Sequence, residues 1–418
     1  MSRKRKTEVL VVGAGPVGQC VALGLTDLGV DVEVIDEENM SRGARYAVVL
    51  HPASLQMLKH LGLAQDLVSV GQRIEAVDLC DAIGVHASLD MARSGTEFPF
   101  ALTLMLSDLE TALERGLKDR GVAVHWNHRF AGVDASTLPL VAEIEKLNVV
   151  STGYIIPHTA TVVQKSYSLE STFVIGADGP HSLVRQRMNL PVSDAGRLER
   201  FIMFEGRTRA PLRSAVSVVF HDEGNAVLWP LPGNRWRWLF ELGAADPGDP
   251  RHRDSVLSAL GGWVMEDVDA GTLATLLSQR APWFDGSNLT VEFGVELWAE
   301  PRLVESFGVS HVWLAGDAAH LGGPLVNASL NVGMREANDL AGRLTRILHD
   351  GAGDELMAAY GADRAREWRA RFRVDSGPTV SGAASSWVAA HAGRLGAFLP
   401  ATGVELRRLF QQVGLAMA

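Results

Sequence analysis

Three short groups in this chain combine glycines and aspartates in ways that could do chemistry, and each follows an apolar run. The first is Gly13-Ala14-Gly15-Pro16-Val17-Gly18, after the β-branched run 8–12 and ahead of a helical stretch over 16–28. Gly-x-Gly-x-x-Gly in that context is a phosphate-binding turn. Gly13 permits the tight bend, Gly15 lets the backbone approach a pyrophosphate, and Gly18 lets the helix press on the strand. The helix N-terminus, with Pro16 and Val17 in its first turn, offers free N–H groups and the positive dipole end to the phosphates. Asp36, with Glu37 beside it, closes a second apolar strand at 32–35. A carboxylate there accepts from ribose hydroxyls and repels a 2′-phosphate. The ligand selected is an adenine dinucleotide, NAD or FAD, and this motif alone does not choose between them.

The second group is Val174-Ile175-Gly176-Ala177-Asp178-Gly179-Pro180-His181-Ser182, with Arg185 after it. The third is Leu314-Ala315-Gly316-Asp317-Ala318-Ala319-His320, with Pro324 and Asn331 downstream. An acidic acceptor at the end of a buried strand, as at Asp317, suits a polyhydroxyl ligand, while Asp178 also fits an ordinary turn aspartate. In this order the three groups resemble the signatures of the class A flavin monooxygenases, the family of para-hydroxybenzoate hydroxylase. The resemblance covers residues 8–348.

The resemblance implies FAD as cofactor, with NADPH or NADH as reductant. It implies that Gly316 and Asp317 hold the ribityl chain, and that Pro324 and the backbone at Ser329, Leu330 and Asn331 face the isoalloxazine ring. Asp178 would brace the nucleotide-binding half near the nicotinamide docking place. The implied reaction is hydroxylation or epoxidation of an aromatic or polycyclic, secondary-metabolite-like small molecule through a flavin hydroperoxide. The cofactor carries that chemistry, so no triad is expected and no catalytic side chain is assigned. The chain departs from the family pattern at three places. Asn327-Ala328-Ser329 stands where Gly-Gln-Gly is usual. Tyr46, beside Arg45, stands where a flavin-contacting arginine is usual, and Leu106 replaces a glutamine or arginine. These departures leave a second reading: an FAD-binding relative that catalyses a redox-neutral cyclisation or dehydrogenation, or uses FAD structurally.

The elements that must position these groups follow from periodicity. A strand–helix–strand unit over 8–35 implies a parallel, buried pair. A helix is predicted over 51–60, short strands and turns over 74–103, and an amphipathic helix over 108–118 with Ser107 as N-cap. Strands are predicted at 122–126, 173–176 and 311–315. A helix over 331–348 carries Val332, Ala337, Leu340, Leu344 and Leu348 along one side, and the chain after 350 reads as helices. Residues 200–241 read as an antiparallel sheet, and Trp229, Trp236, Trp238, Trp263, Trp283 and Trp298 cluster in and beyond it. The substrate cavity is expected between this sheet and the flavin, with Phe220, Trp229 and Trp238 as wall. No arginine cluster within 201–300 announces a small carboxylate substrate.

The expected fold is α/β: a Rossmann-like FAD-binding domain, an interleaved α+β substrate domain with a mixed or antiparallel sheet, and C-terminal helices. The FAD-binding domain is assembled from 1–75, 100–180 and 300–350, the substrate domain from 76–99 and 181–299, and the helical segment is 351–418. The residues after Leu348 are too few for the thioredoxin-like domain of some family members.

Composition narrows the classes further. Of 418 residues, 47% are hydrophobic and 21% charged, as in folded globular chains. The net charge of −10 argues against nucleic acid and anionic membranes as partners. The two cysteines, Cys20 and Cys80, have no metal-binding spacing and suit a reducing cytoplasm, so no metal is expected. Residues 9–26 are uncharged and follow Arg3-Lys4-Arg5-Lys6, the outline of a leader or anchor. Gly13, Gly15, Pro16, Gly18 and Gly24 break that run, so no membrane span is expected. The protein is expected to act as a monomer or homodimer.

Overall fold

The structure, a computed structural model, describes residues 5–40, 46–152, 158–209, 212–244, 246, 268–323, 325, 328–372 and 378–417. Arg45, Trp263, Pro324 and Asn327 lie outside the described residues.

The fold is mixed α/β and its centre is a parallel sheet. Val9–Val12 is buried at every position, as a strand covered on both faces must be. It pairs in parallel with Val32–Ile35 on one side and with Phe173–Gly176 on the other. Val312–Leu314 continues the sheet in parallel beyond Phe173–Gly176, and Val124–His125 and Gly308–Val309 form its edges. The register decides where the site forms. Gly176 lies opposite Val12 on one side and Leu314 on the other. The three groups singled out above therefore leave the sheet side by side, at its C-terminal edge, where open α/β sheets bind ligands.

Two helices meet over this sheet, Pro16–Asp27 and Ala328–His349, and small residues let them approach. A methyl group on Gly24 would stand 3.0 Å from the Ala341 Cβ, and one on Gly333 2.8 Å from Val17 Cγ2. The long helix begins earlier than predicted, at Ala328. The helix predicted over 108–118 spans Leu106–Asp119, and its N-cap is Met105 rather than Ser107. Strand Ala101–Met105 passes directly into it, so Ser107 already lies in the first turn.

The second large sheet has seven strands, in the order Leu289–Ala299, Glu199–Thr208, Arg235–Ala244, Ala226–Leu231, Ala215–Val219, Ala76–Cys80, Val85–Asp90. It is antiparallel except where Ala215–Val219 runs parallel to Ala76–Cys80, which makes it mixed. Side chains alternate across it. Trp236, Trp238 and Phe240 pack on Leu273, Leu276 and Leu277 of helix Ala270–Arg280. Arg237 and Leu239, between them in sequence, face a cavity. The sequence reading named neither helix Ala270–Arg280 nor strand Leu289–Ala299, and it missed the long hairpin Leu140–Thr152 and His158–Ser171. Its strands mix apolar with charged and polar residues and contain no apolar run longer than three residues. After residue 350 the chain forms helices Glu355–Phe372, Ser386–Leu395 and Gly403–Gln412, plus a short pair, Thr379–Val380 with Leu415–Ala416. Among the described residues, no helix is long and apolar enough to cross a membrane, and no group of His, Cys, Asp and Glu could hold a metal ion.

Candidate functional site

A cavity of about 330 Å³ lies where the parallel sheet faces the seven-stranded one. Gly15, Pro16 and Val17 line it from the glycine turn, Ala177, Gly179, Pro180 and His181 from the second group, and Asp317 from the third. Tyr46, Val48, Leu106, Leu321, Ser329 and Leu330 close its middle, and Met203, Trp229, Arg237, Leu239, Leu297 and Trp298 form the opposite wall. A larger hollow of about 670 Å³ lies elsewhere, near Lys59, Arg73 and Phe100. No residue of the three groups lines it, so volume alone does not mark the chemistry here.

The glycine turn is built by close approach. Gly13 has φ +102°, and a methyl group on it would fall 2.3 Å from the Ala177 carbonyl oxygen. The first group thus abuts the second. A methyl group on Gly18 would meet the Gly13 carbonyl oxygen at 2.0 Å, whereas one on Gly15 would meet nothing within 4 Å. The open space at Gly15 leaves room for a phosphate group to approach the helix N-terminus. Asp36 holds the turn from the second strand, its carboxylate accepting from the Ala14 N–H at 2.6 Å and the Glu38 N–H at 2.9 Å. Glu37 beside it is exposed.

Asp178 faces the start of a short helix, Leu183–Arg187, whose N-cap is Ser182, and accepts from the N–H groups of Leu183 at 2.7 Å and Val184 at 3.1 Å. Burial pushes its carboxyl up, and these bonds oppose that rise. Arg185 then reaches across, donating to the Ala318 carbonyl at 2.7 Å and to the Pro180 carbonyl at 2.7 Å. That guanidinium joins the second group to the third.

Asp317 differs from both other aspartates. It is exposed and lines the cavity. The surrounding protein still desolvates it and pushes its carboxyl up, with Glu336 adding to the rise and His320 opposing it. Among the described residues, no hydrogen bond relieves it. A desolvated, unpartnered carboxylate facing a cavity fits a ligand rich in hydroxyl donors.

Asn331 is 1% exposed and does not face the cavity. Its Oδ1 accepts from the His51 N–H and the Ser54 hydroxyl, each at 2.7 Å, and its Nδ2 donates to the Val49 carbonyl at 2.7 Å. The side chain fastens the long helix to strand Ala47–Leu50 and helix Pro52–His60. Asn331→Ala removes three buried hydrogen bonds and is expected to destabilise the fold by about 2 kcal/mol, measurable by denaturant unfolding. Ser329, in place of a usual glycine, accepts through its hydroxyl from the Gly322 N–H at 2.7 Å. The extra side chain is thus satisfied inside the loop.

The substrate-side expectations divide. Trp229 lines the cavity, but Phe220 and Trp238 do not. Trp238 has the opposite strand parity from Arg237 and stacks on Phe240 beneath helix Ala270–Arg280. Phe220 follows strand Ala215–Val219 and packs on Trp387, His391 and Phe398 of the C-terminal segment. Trp298 takes the place expected of them. Arginines do gather on this side, each matched by a glutamate. Fully buried Glu205 accepts from Arg237 Nε at 2.8 Å and from Arg235 at 3.1 Å. Arg200 pairs with Glu296 at 2.6 Å, and Arg302 with Glu300. Arg237 was legible as one of two charges alternating with tryptophans in Arg235-Trp236-Arg237-Trp238, a pattern that puts charge on one face of a strand.

An open glycine turn at a helix N-terminus, a carboxylate beside it and a desolvated acceptor together have the chemistry that a dinucleotide would need. The sequence profile described as "FAD binding domain" matches residues 6–373. The chain belongs to this family. This FAD binding domain protein is 28% identical over 362 residues to 6-methylpretetramide 4-monooxygenase of Streptomyces rimosus, which covers 85% of the chain and 59% of that relative. It is 25% identical to 6-hydroxy-3-succinoylpyridine 3-monooxygenase of Pseudomonas putida, over 87% of the chain and 85% of the relative. The chain thus spans about six-tenths of the length of the first relative and most of the second. Among solved structures, p-nitrophenol 4-monooxygenase of Pseudomonas putida superposes with a TM-score of 0.69 at 22% identity, over 87% of this chain and 86% of that one. The shared fold is that of the FAD-dependent monooxygenases.

Proposed function

We propose that this FAD-binding protein is a monooxygenase that uses NADPH or NADH and O2 to hydroxylate or epoxidise an aromatic or polycyclic small molecule. One observation carries the reading: a single cavity joins the unpartnered Asp317 carboxylate to an apolar wall of Trp229, Leu239, Leu297 and Trp298. The relatives named above as monooxygenases support the oxygenating reaction. Bound FAD would take electrons from the nicotinamide and supply oxygen activation. The chain's own residues bind, orient and exclude water. The helix N-terminus at Gly15–Val17 receives the pyrophosphate, Asp36 the ribose, and Asp317 the ribityl hydroxyls. The first turn of Ala328–His349, with Ser329 and Leu330, presents its positive dipole end to the ring. Val17, Leu106 and Leu330 keep water from the middle of the cavity, and Trp229 and Trp298 offer flat faces to an aromatic substrate.

In this reading the parallel sheet and its helices make the FAD-binding domain, and the seven-stranded sheet makes the substrate domain. A cytoplasmic location is supported by Cys20 and Cys80, both free and buried, whose thiols burial pushes up to about 12. The reaction is tested with FAD-loaded protein and a panel of phenols and polycyclic aromatics. Substrate should stimulate NAD(P)H oxidation, and oxygen-18 from labelled O2 should enter the product. Turnover that needs neither NAD(P)H nor O2 would replace this reading with a redox-neutral one.

A further inference from the structure

Glu336 is a fully buried carboxylate on helix Ala328–His349 that takes no part in the reaction proposed above. It gathers three donors from three places. Its Oε2 accepts from the Gly316 N–H at 3.2 Å and from His320 Nε2 at 2.7 Å. Its Oε1 accepts from the Trp368 indole N–H at 3.0 Å. Trp368 belongs to helix Glu355–Phe372 and stacks on the His320 ring, with centroids 3.9 Å apart at 25°.

These contacts bracket one short stretch of chain. Gly316, at φ +63°, and His320 stand on either side of Asp317. Two further bonds hold the same stretch. The Tyr360 hydroxyl donates to the Leu314 carbonyl at 3.1 Å, and Arg185 donates to the Ala318 carbonyl at 2.7 Å. The segment is therefore tied at 314, 316, 318 and 320, while none of the side chains that tie it lines the cavity. Asp317, in the middle, is left pointing at the ligand space.

We propose that Glu336, His320 and Trp368 are positioning residues for FAD, and that Trp368 makes helix Glu355–Phe372 a working part of the cofactor site. The buried carboxylate fixes the left-handed turn at Gly316 so that Asp317 meets the ribityl chain without searching for its place. The inference rests on FAD occupying this cavity. The ionic state of the hub agrees with it. Burial pushes the Glu336 carboxyl up, but the His320 charge and hydrogen bond, the Trp368 indole and the Gly316 N–H outweigh burial and hold it below its ordinary value. Glu336 is thus a carboxylate at neutral pH, able to accept from all three donors.

The test compares two probes. ADP reaches the glycine turn and Asp36 but has no ribityl chain, whereas FAD also engages Asp317. Affinities for both are measured by titration of apo protein for wild type, Trp368→Phe, His320→Leu and His320→Gln, with thermal unfolding of each apo form. Trp368→Phe keeps an aromatic ring for stacking but loses the N–H, and should weaken FAD about tenfold, the worth of one hydrogen bond to a charged group. His320→Leu should weaken FAD at least as much, and His320→Gln, whose amide still donates, should recover most of the loss. ADP affinity should stay within about twofold of wild type throughout. Variants that match wild type for both ligands, or lose both ligands alike, overturn the positioning role. Wild-type protein that binds ADP but not FAD overturns the cofactor reading on which the role rests.

Discussion

Replacing Asp317 with alanine will weaken FAD binding about 100-fold while leaving the apo protein at least as stable as wild type. The two effects have one cause. In the apo protein the carboxylate is desolvated, has no hydrogen bond and has its carboxyl pushed up. A carboxyl raised in the folded state contributes stability below its ordinary value of 3.8 that is lost as pH rises through the folded value. At neutral pH the apo fold carries that penalty, and alanine removes it. Ribityl hydroxyls would donate to the charged form and reverse the balance. Two such charge-assisted bonds contribute about 3 kcal/mol together, which is roughly the 100-fold expected. Because FAD favours the carboxylate, binding will release a proton at acid pH above 3.8, where the raised carboxyl of the apo protein is still partly protonated. Wild-type affinity will therefore rise with pH across that window, and Asp317→Ala will lack this rise. Calorimetric titration in two buffers of different ionisation enthalpy reads the proton, and differential scanning of apo protein reads the stability. An apo variant that melts well below wild type would sink the assignment.

Two glycines of one motif will separate folding from binding. A methyl group on Gly18 would lie 2.0 Å from the Gly13 carbonyl oxygen, against backbone that is itself packed on Ala177. Gly18→Ala should destabilise the apo fold by about 3 kcal/mol, because strand and helix must part to admit the new carbon. Gly15 has φ −68° and ψ 175°, a conformation alanine adopts freely, and open space where the methyl would point. Gly15→Ala should shift apo stability by no more than about 0.5 kcal/mol, yet weaken both ADP and FAD more than tenfold by occupying the pyrophosphate's approach. Denaturant unfolding with parallel ligand titration checks the pair. Equal loss of stability in the two variants would refute this division of labour.

The parts of the site that sequence could disclose are those whose chemistry is local. Gly13, Gly15 and Gly18 act within one turn, and Asp36, Asp178 and Asp317 each sit at the end of an apolar strand, so spacing alone points to them. The strand–helix–strand pattern at 8–35 discloses the first parallel pair, whereas the pairing of strands 9–12, 173–176 and 312–314 that brings the three groups together is not local. What depends on which face of a sheet meets which neighbour was not legible. Trp229 and Trp238 are both apolar aromatics in the same sheet, yet only Trp229 reaches the cavity, because helix Ala270–Arg280 covers the other face. Glu205 and Arg237 lie 32 residues apart and pair across neighbouring strands, which no local pattern reveals. Ser107 has the composition of an N-cap, but strand Ala101–Met105 runs straight into the helix and moves the cap to Met105. Asn331 stands at a ligand-facing place in the resemblance, while its side chain is spent on the backbone of residues 49 and 51.

The level register of the three strand ends also sets an order of events during synthesis. Val9–Val12, Phe173–Gly176 and Val312–Leu314 stand side by side, although they are far apart along the chain. A nascent chain that has emerged only through Ala177 already holds the residue that packs on Gly13 but still lacks Asp317. If Asp317 holds the ribityl chain as proposed, tight cofactor capture must wait until the third strand docks. Flavin then acts as a seal on a finished fold, adding stability only after topology is complete. Flavin content becomes a census of correctly folded molecules, and mutations in any of the three segments will be read first as pale protein.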